Sequence, residues 1–326
     1  MYYIGIDIGG TKCAVSLGKA GEDGRVEILH RCPKRLTLKR GPEAVLPELL
    51  EDVKSCIVLS EVPPKAIGIS CGGPLNSKTG RIQSPPNLLG WDDVPITEYL
   101  EKATGLPAFL CNDANACALA EWRMGAGVGC ENMVFMTFGT GLGAGLILNG
   151  RLYEGTSDCA GELGHIRLSS FGPVGYGKMG SFEGFCSGGG IAQLAKSMVT
   201  EQLQMGHKPA ICPSAAELDS LTAETVSNAA KDGDALAQQI MARCGQMLGV
   251  GLSIVMDLLN PEKIVIGSVF ARAQSLLWPA AEQVIGQEAL EQTRNVCRVV
   301  PCGLTESVGD IAALTVADYY WKRSGV

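Results

Sequence analysis

Basic residues are outnumbered in this sequence, which has 27 lysines and arginines against 34 aspartates and glutamates. The formal net charge is −7 and the isoelectric point is about 5.2. A nucleic-acid groove needs clustered cations to neutralise phosphates. The charge balance therefore argues against a nucleic-acid partner and suits a protein that acts on small molecules.

Signals for secretion and membrane insertion are also lacking. The N-terminus, MYYIGIDIGGTK, has no basic segment followed by an apolar stretch. The longest apolar run, at 247–259, is shorter than the roughly 20 residues that span a bilayer, and it contains Asp257. The 13 cysteines form no Cys-x-x-Cys pair, and several lie among apolar residues. These absences predict a cytoplasmic protein with reduced, packed thiols and no membrane partner.

The chain has room for two domains, since it contains 326 residues of which 46% are hydrophobic. A strand, a glycine turn and a second strand occur at IDIGGTK near the start and again at TFGTGLG near residue 135. The segments 42–60 and 92–105 are typical of helices, and 261–268 is typical of a strand that runs into a helix. This order predicts two α/β halves with a cleft between them.

The glycine turns are candidate phosphate sites. The first places Asp7 at a strand end, followed by Gly9, Gly10, Thr11 and Lys12. Glycine lets backbone amides approach an anion, and a carboxylate at the strand end can face Mg²⁺. Neither turn has the Walker or the GxGxxG pattern, and either could be an ordinary tight hairpin.

Asp113 ends the predicted strand 107–113 and precedes a predicted helix. Ligands collect at such strand ends, and a carboxylate there can accept a proton from a hydroxyl group. The neighbouring Asn112 and Asn115 offer a second interpretation, since one residue of this group is expected to cap the helix.

Glu162 and His165 lie three residues apart, so one turn of helix would place them on the same face. They precede a glycine-rich loop that contains Glu183, and this combination suits the binding of a polyol. Asn87, in a proline-stiffened loop, can both donate and accept hydrogen bonds. Each of these residues also has a purely structural interpretation.

These pieces, in this order, resemble the ROK family of repressors, open reading frames and sugar kinases, within the actin-like ATPase superfamily. The resemblance extends over nearly the whole chain. Its motifs are IDIGGTK, GISCGGPLN, SPPNLLGW, NDANACALAEW, TFGTGLGAGLILNGRLYEG, AGELGH, SFEGFCSG and NPEKIVIG.

The resemblance implies two actin-like or ribonuclease H-like α/β lobes and ATP-dependent phosphorylation of a sugar hydroxyl, with Asp113 as the general base. Sugar binding would involve Gly73, Asn87, Asn112, Glu162, His165 and Glu183. Phosphate binding would involve Gly9, Gly10, Thr11, Lys12, Gly139, Thr140 and Gly141. Gly267 would lie by the adenosine, and Asp7 would face Mg²⁺.

Residues 1–118, completed by a C-terminal helix at 309–326, would form the smaller lobe, and 119–308 the larger. The resemblance also implies a homodimer. Family repressors carry an N-terminal helix-turn-helix, whereas the first predicted strand here begins at Tyr2, so a repressor is not expected.

One departure concerns metal binding. Many ROK proteins hold structural zinc through three cysteines, and the aligned positions here are Val174, Tyr176 and Ser181. Zinc prefers four nitrogen, sulfur or oxygen ligands, so we expect no zinc. Near the C-terminus, VGDIAALTVA lacks a small residue that the family pattern contains, and Ser268 replaces a common glycine.

The identity of the sugar stays open at this stage. Glucose, phosphorylated at O6, is the first expectation. Fructose and the amino sugars N-acetylmannosamine and N-acetylglucosamine are the alternatives. A non-catalytic sugar sensor on the same fold is an alternative of another class, and polyphosphate is a less favoured donor than ATP.

Overall fold

The computed structural model describes residues 1–304 and 308–325. The strands are β1 Tyr2–Ile8, β2 Lys12–Ala20, β3 Val26–Arg31, β4 Arg35–Leu36, β5 Ile67–Cys71, β6 Leu75–Asn76, β7 Arg81–Ile82, β8 Ala108–Asn112, β9 Met133–Met136, β10 Ala144–Leu148, β11 Arg151–Tyr153, β12 Val174–Gly175, β13 Lys178–Met179, β14 Lys263–Ile266 and β15 Arg298–Pro301. The α-helices are α1 Pro42–Leu59, α2 Ile96–Thr104, α3 Asp113–Met124, α4 Phe182–Phe185, α5 Gly188–Gln204, α6 Ala223–Lys231, α7 Ala235–Leu259, α8 Val269–Glu288, α9 Glu291–Val296 and α10 Val308–Arg323.

The chain forms two compact units. The first contains Met1–Gly129, Gly145–Ala160 and Gly303–Val326, and the second contains Cys130–Ala144 and Gly161–Cys302. The sequence placed a boundary at 118/119, which falls inside α3. The contacts of α3 keep the whole helix in the first unit, together with α10, β11 and β10 from Gly145 onwards.

A mixed sheet organises the first unit, in the order β3-β2-β1-β5-β8. Strands β1, β5 and β8 are parallel, whereas β2 and β3 are antiparallel to their neighbours. Alternate residues of β1 pack on opposite faces, as the period of two requires. Ile4 and Ile6 join the core formed with α1, and Tyr3 packs against α10.

Glycine lets α10 lie very close to this sheet. A Cβ on Gly68 would lie 2.1 Å from the carbonyl oxygen of Ala313, and one on Gly5 would lie 2.9 Å from the amide nitrogen of Leu314. Neither distance is compatible with a side chain. The two glycines therefore fix how near the C-terminal helix comes to the strand ends.

Helix α2 is shorter than the sequence indicates. The apolar spacing predicts a helix over 92–105, but Asp93 has a positive φ of 53° and Pro95 is the N-cap, so the helix begins at Ile96. At the other end Gly105 adopts the left-handed conformation (φ 73°) and is the C-cap of the helix.

Parallel strands also organise the second unit, where β14 lies between β9 and β15. The long helix α7 packs closely on α8, and a Cβ on Gly245 would lie 2.4 Å from the carbonyl oxygen of Leu277. Among residues 1–304 and 308–325, α7 is the one helix long and apolar enough to cross a membrane by length and composition alone. It extends well before the apolar run at 247–259, and 56% of its most apolar window is buried, as in a core helix.

Most cysteines are packed in the interior, as the sequence predicts. All 13 are free thiols, and ten of them are buried. Cys159 is the exposed one. The thiols therefore serve mainly as small packing groups.

A buried carboxylate joins distant segments of the first unit. Glu121, on α3, is fully buried. Its Oε2 accepts hydrogen bonds from the amides of Ala126 at 2.8 Å and Gly303 at 3.0 Å, and its Oε1 accepts one from Leu304 at 2.7 Å. The side chain thus connects the end of α3 to the segment that leads towards α10.

Replacing Glu121 with alanine should lower the free energy of unfolding by about 3 kcal/mol or more, because three buried amides lose their acceptor. Urea denaturation followed by circular dichroism measures the change. The matched control is Glu51→Ala on the exposed side of α1, which should alter stability by no more than about 0.5 kcal/mol. Equal effects of the two substitutions would contradict the role given to Glu121.

Candidate functional site

The first glycine turn follows β1. The amide of Gly9 donates to the carbonyl of Lys12 at 3.0 Å, which closes the turn, and the hydroxyl of Thr37 donates to the carbonyl of Gly9 at 2.5 Å. A Cβ on Gly10 would lie 2.6 Å from the Cβ of Asn87. The loop that carries Asn87 therefore packs directly on the turn, while the side chains of Thr11 and Lys12 are exposed.

Asp7 lies at the centre of a group of carboxylates in the first unit. Burial, followed by the charges of Asp310 and Asp113, raises its pKa to about 6, while a hydrogen bond from Ser70 acts in the opposite direction. A Cβ on Gly309 would lie 2.4 Å from Oδ2 of Asp7, so the carboxylate sits against the first turn of α10. The negative charge is costly in this position unless a cation or the helix N-terminus compensates it.

The sequence prediction did not include Asp310, whose side chain is 13% exposed and forms an ion pair with Nε of Arg31 at 2.8 Å. The sequence feature that could have pointed to Asp310 is its position as a carboxylate in the first turn of a helix. Its proximity to Asp7 depends on a contact between residues 303 positions apart in the chain, which local patterns do not reveal.

Asp113 is the first residue of α3, and Asn112 is the N-cap, so the expected helix cap is Asn112. The amide of Ala114 donates to Oδ1 of Asn112 at 3.0 Å and to Oδ1 of Asp113 at 2.8 Å. A Cβ on Gly72 would lie 3.9 Å from Oδ2 of Asp113, and one on Gly73 would lie 3.3 Å from Nδ2 of Asn112. The loop after β5 and the end of β8 therefore present these polar groups side by side.

The pKa of Asp113 is raised. Its carboxyl reaches solvent, yet the surrounding protein removes much of its hydration, and the resulting desolvation outweighs the hydrogen bonds from the amides of Ala114 and of Asp113 itself. A carboxylate with a raised pKa is a stronger base than one on an open surface.

The second glycine turn belongs to the second unit. The amide of Gly139 donates to the carbonyl of Gly141 at 3.0 Å, and the amide of Leu142 donates to Oε2 of Glu183 at 3.0 Å. A Cβ on Gly141 would lie 2.6 Å from the same carboxylate oxygen. Glu183 thus supports the turn directly, a contact that the sequence did not predict.

Glu162 is the N-cap and His165 the last residue of a short 3₁₀ turn, Leu163–His165, so the predicted helical turn is present. Gly164, between them, is packed so closely that a Cβ would lie 2.2 Å from the carbonyl oxygen of Leu142 and 3.3 Å from Cβ of Glu183. Both Glu162 and His165 are exposed. The second unit therefore brings three of its predicted sugar-binding residues to one place, next to the glycine turn.

A cavity of about 820 Å³ opens beside this turn, entirely within the second unit. Its walls come from the glycine turn, from the starts of α5 and α8, and from the length of α6. They are formed by Gly139, Thr140, Gly188, Gly189, Ala192, Thr222, Ala223, Glu224, Ser227, Asn228, Lys231, Val269, Arg272 and Ala273.

Gly267, which was expected near a nucleoside, does not line this cavity. It is buried, and its amide donates to the carbonyl of Met136 at 2.9 Å. The sequence did not single out the side chains from α5 and α6, since their spacing resembles that of ordinary helices. Ser268, next in the chain, has φ of 55°, which explains why glycine is favoured at that position.

The position proposed for magnesium, at Asp7, and the loop where relatives hold zinc offer different residues to a metal ion. Among residues 1–304 and 308–325, no group of three or more His, Cys, Asp or Glu side chains is arranged to hold a metal ion. Magnesium is commonly held by only one or two carboxylates together with substrate phosphates, so Asp7 in its negative surroundings fits such an ion. Val174 and Tyr176 lie on a small hairpin, and Ser181 is the N-cap of α4.

The sequence matches the ROK family over residues 3–319. It is 35% identical to the glucokinase of Halalkalibacterium halodurans over 304 residues, which cover 90% of this chain and 88% of that protein. The solved ROK hexokinase from Thermus thermophilus is 28% identical, with a TM-score of 0.82 and coverage of 99% of this chain and 100% of that one. The ROK family glucokinase from Streptomyces griseus, solved in complex with glucose and AMPPNP, is 27% identical, with a TM-score of 0.75 and coverage of 98% and 100%.

Replacing Asp7 with asparagine should stabilise the protein at neutral pH. An acid whose pKa is raised on folding, here from 3.8 to about 6, binds more protons when folded, so the free energy of unfolding falls as pH rises through that window. The Asp7→Asn variant escapes this loss and should be about 1 to 3 kcal/mol more stable than wild type at pH 7.

Urea denaturation in EDTA at pH 7 and below pH 4 measures the difference, which should vanish at the lower pH. The control is Glu22→Gln, which neutralises an exposed acid and should show little change at either pH. A gain for Asp7→Asn that is the same at both pH values would contradict the role of its ionisation.

Proposed function

Because the chain belongs to the ROK family and is an ATP-dependent sugar kinase, we propose that it transfers the γ-phosphoryl group of ATP to O6 of glucose, with Asp113 as the general base. The α/β fold of the actin-like ATPases, which the sequence predicts, is confirmed by the solved ROK kinases it resembles. The single observation that carries the proposal is the position of Asp113, at the end of β8 beside the polar loop after β5.

Two relatives support glucose as the phosphoryl acceptor. The curated relative from Halalkalibacterium halodurans is named a glucokinase, and the Streptomyces griseus structure holds glucose together with AMPPNP. Fructose and the N-acetylated amino sugars are the alternatives, because their hydroxyl groups resemble those of glucose. We propose that Asn87, Asn112 and the backbone at Gly73 bind sugar hydroxyls from the first unit, and Glu162, His165 and Glu183 from the second.

The chemistry assigned to Asp113 is proton transfer. As O6 of the sugar attacks the γ-phosphorus, the bond from that phosphorus to the β,γ-bridging oxygen breaks and ADP leaves. The proton of O6 passes to Oδ2 of Asp113, while Oδ1 stays hydrogen-bonded to the amide of Ala114. Desolvation raises the pKa of this carboxyl and strengthens it as a base. Since phosphoryl transfer depends chiefly on alignment and charge stabilisation, holding O6 in place is as important as accepting its proton.

The donor would be held by the two glycine turns. Amides of Gly9, Gly10, Thr11 and Lys12, and those of Gly139, Thr140 and Gly141, would contact phosphate oxygens. A magnesium ion at Asp7 would neutralise charge that develops on the transferring group. The cavity of about 820 Å³ has the size of a small-molecule site and would take the nucleoside, with Gly267 near the adenosine.

The remaining expectations stay predictions. They are a homodimer, a cytoplasmic location and the absence of structural zinc. The acidic charge balance continues to argue against a nucleic-acid partner.

Replacing Asp113 with asparagine should lower kcat by about 10²- to 10⁴-fold, because the amide cannot accept the proton of the attacking hydroxyl. A coupled assay of ADP release across glucose, mannose, fructose, N-acetylglucosamine and N-acetylmannosamine measures kcat and KM, and glucose should give the highest kcat/KM. The dissociation constant for glucose, measured by calorimetry, should change little.

The control for this substitution is Asp23→Asn, on an exposed turn of the first unit, which should retain wild-type turnover. Unchanged turnover by Asp113→Asn would refute its assignment as the base. A higher kcat/KM for an amino sugar than for glucose would show that the amino sugar, and not glucose, is the preferred substrate.

Filling the cavity tests the donor site. Ala192 lies on its wall, so Ala192→Trp should raise KM for ATP about tenfold or more while leaving glucose binding unchanged. Glu201→Trp, at the exposed end of the same helix, is the matched control and should leave both constants near wild type. An Ala192→Trp variant with wild-type KM for ATP would place the nucleoside elsewhere.

A further inference from the structure

A short two-stranded hairpin, β12–β13, occupies the loop between the 3₁₀ turn and α4. Its strands pair Val174 with Met179 and Gly175 with Lys178, and Tyr176 and Gly177 form the two-residue connection. Both connecting residues have positive φ, 44° and 74°, as the favoured two-residue hairpin turns require. Glycine or asparagine usually occupies such positions, so a tyrosine at the first of them is unusual.

Hydrogen bonds and close packing anchor the base of this hairpin. Gln193 exchanges two bonds of 2.9 Å with the backbone of Val174, and Nη1 of Arg167 donates to the carbonyl of Met179 at 2.6 Å. A Cβ on Gly175 would lie 2.5 Å from the amide nitrogen of Gly184, so the hairpin presses directly on α4. The tip therefore projects from a fixed base.

Two residues of the hairpin hold His165. The ring of Tyr176 meets the imidazole edge-on, with centroids 6.3 Å apart and planes at 76°. The ammonium group of Lys178 donates to the carbonyl oxygen of His165 at 2.6 Å. One contact restrains the ring and the other restrains the backbone of the same exposed residue.

We infer that Tyr176 and Lys178 are positioning residues that fix His165 for contact with the sugar. This inference rests on the proposed function, in which His165 binds a sugar hydroxyl. An exposed imidazole on a short turn otherwise samples several rotamers, and ordering it costs free energy when the sugar binds. The aromatic contact orders the imidazole ring before the sugar binds. The positive φ of Tyr176 strains the backbone, and strained conformations of this kind cluster at functional sites.

The decisive variants separate the ring of Tyr176 from its backbone conformation. Tyr176→Asn removes the ring, yet asparagine tolerates positive φ, so the hairpin is retained. Tyr176→Phe keeps the ring and loses only the hydroxyl. Phe171→Ala removes a neighbouring exposed aromatic ring from the same loop and is the matched control.

Histidine-selective NMR detects the contact between the Tyr176 ring and the His165 imidazole in the absence of catalysis. The chain has only three histidines, His30, His165 and His207, and a His165→Gln variant assigns the signal of interest. Tyr176→Asn should shift the His165 ring signals and leave the other two in place, whereas Tyr176→Phe and Phe171→Ala should keep the wild-type position.

Steady-state kinetics then measure how the loss of this contact affects sugar binding. Tyr176→Asn should raise KM for the sugar about 3- to 10-fold, with kcat and KM for ATP unchanged, and Tyr176→Phe should restore the wild-type value. Lys178→Met should also raise KM for the sugar. The inference is overturned if Tyr176→Asn leaves the His165 signals or the KM for the sugar unchanged. A wild-type protein that phosphorylates no sugar, with the expected NMR shift, would instead refute the proposed function.

Discussion

The close packing of α10 on the sheet determines the polar centre of the first unit. Gly5 and Gly68 leave no side chain between strand and helix, so backbone meets backbone. The first turn of α10 thereby reaches the end of β1, where a Cβ on Gly309 would lie 2.4 Å from Oδ2 of Asp7. Asp310 arrives with that turn, close enough for its charge to raise the pKa of Asp7. Larger residues on the sheet would hold the helix, and its carboxylate, farther away.

Close packing around glycine has the same effect in the second unit. Gly141 and Gly164 let the glycine turn, the 3₁₀ turn and Glu183 pack without intervening side chains. One carboxylate oxygen of Glu183 accepts a hydrogen bond from the amide of Leu142. The proposed sugar site and the proposed phosphate turn therefore share a rigid support. A shift of either turn would therefore move the other.

Local patterns in the sequence predict much of this arrangement, because strand alternation and glycine turns depend on neighbouring residues. The helix over 42–60, the two glycine turns and the pairing of Glu162 with His165 on one turn are of this kind. Asp310 and the cavity walls depend instead on packing between segments far apart in the chain. The start of α2 was misplaced since apolar spacing does not report the positive φ of Asp93.

The departures from the family pattern acquire a physical meaning in the structure. Ser268 and Tyr176, two positions where the sequence departs from the pattern that the resemblance implies, both have positive φ, 55° and 44°. Conformations of this kind cost about 1 to 3 kcal/mol for most side chains and persist only where surrounding structure enforces them. Ser268 precedes α8, which lines the cavity, and Tyr176 contacts His165. Two of the non-glycine residues with positive φ therefore lie beside the regions proposed to bind nucleoside and sugar, where the strain holds the backbone in a fixed geometry.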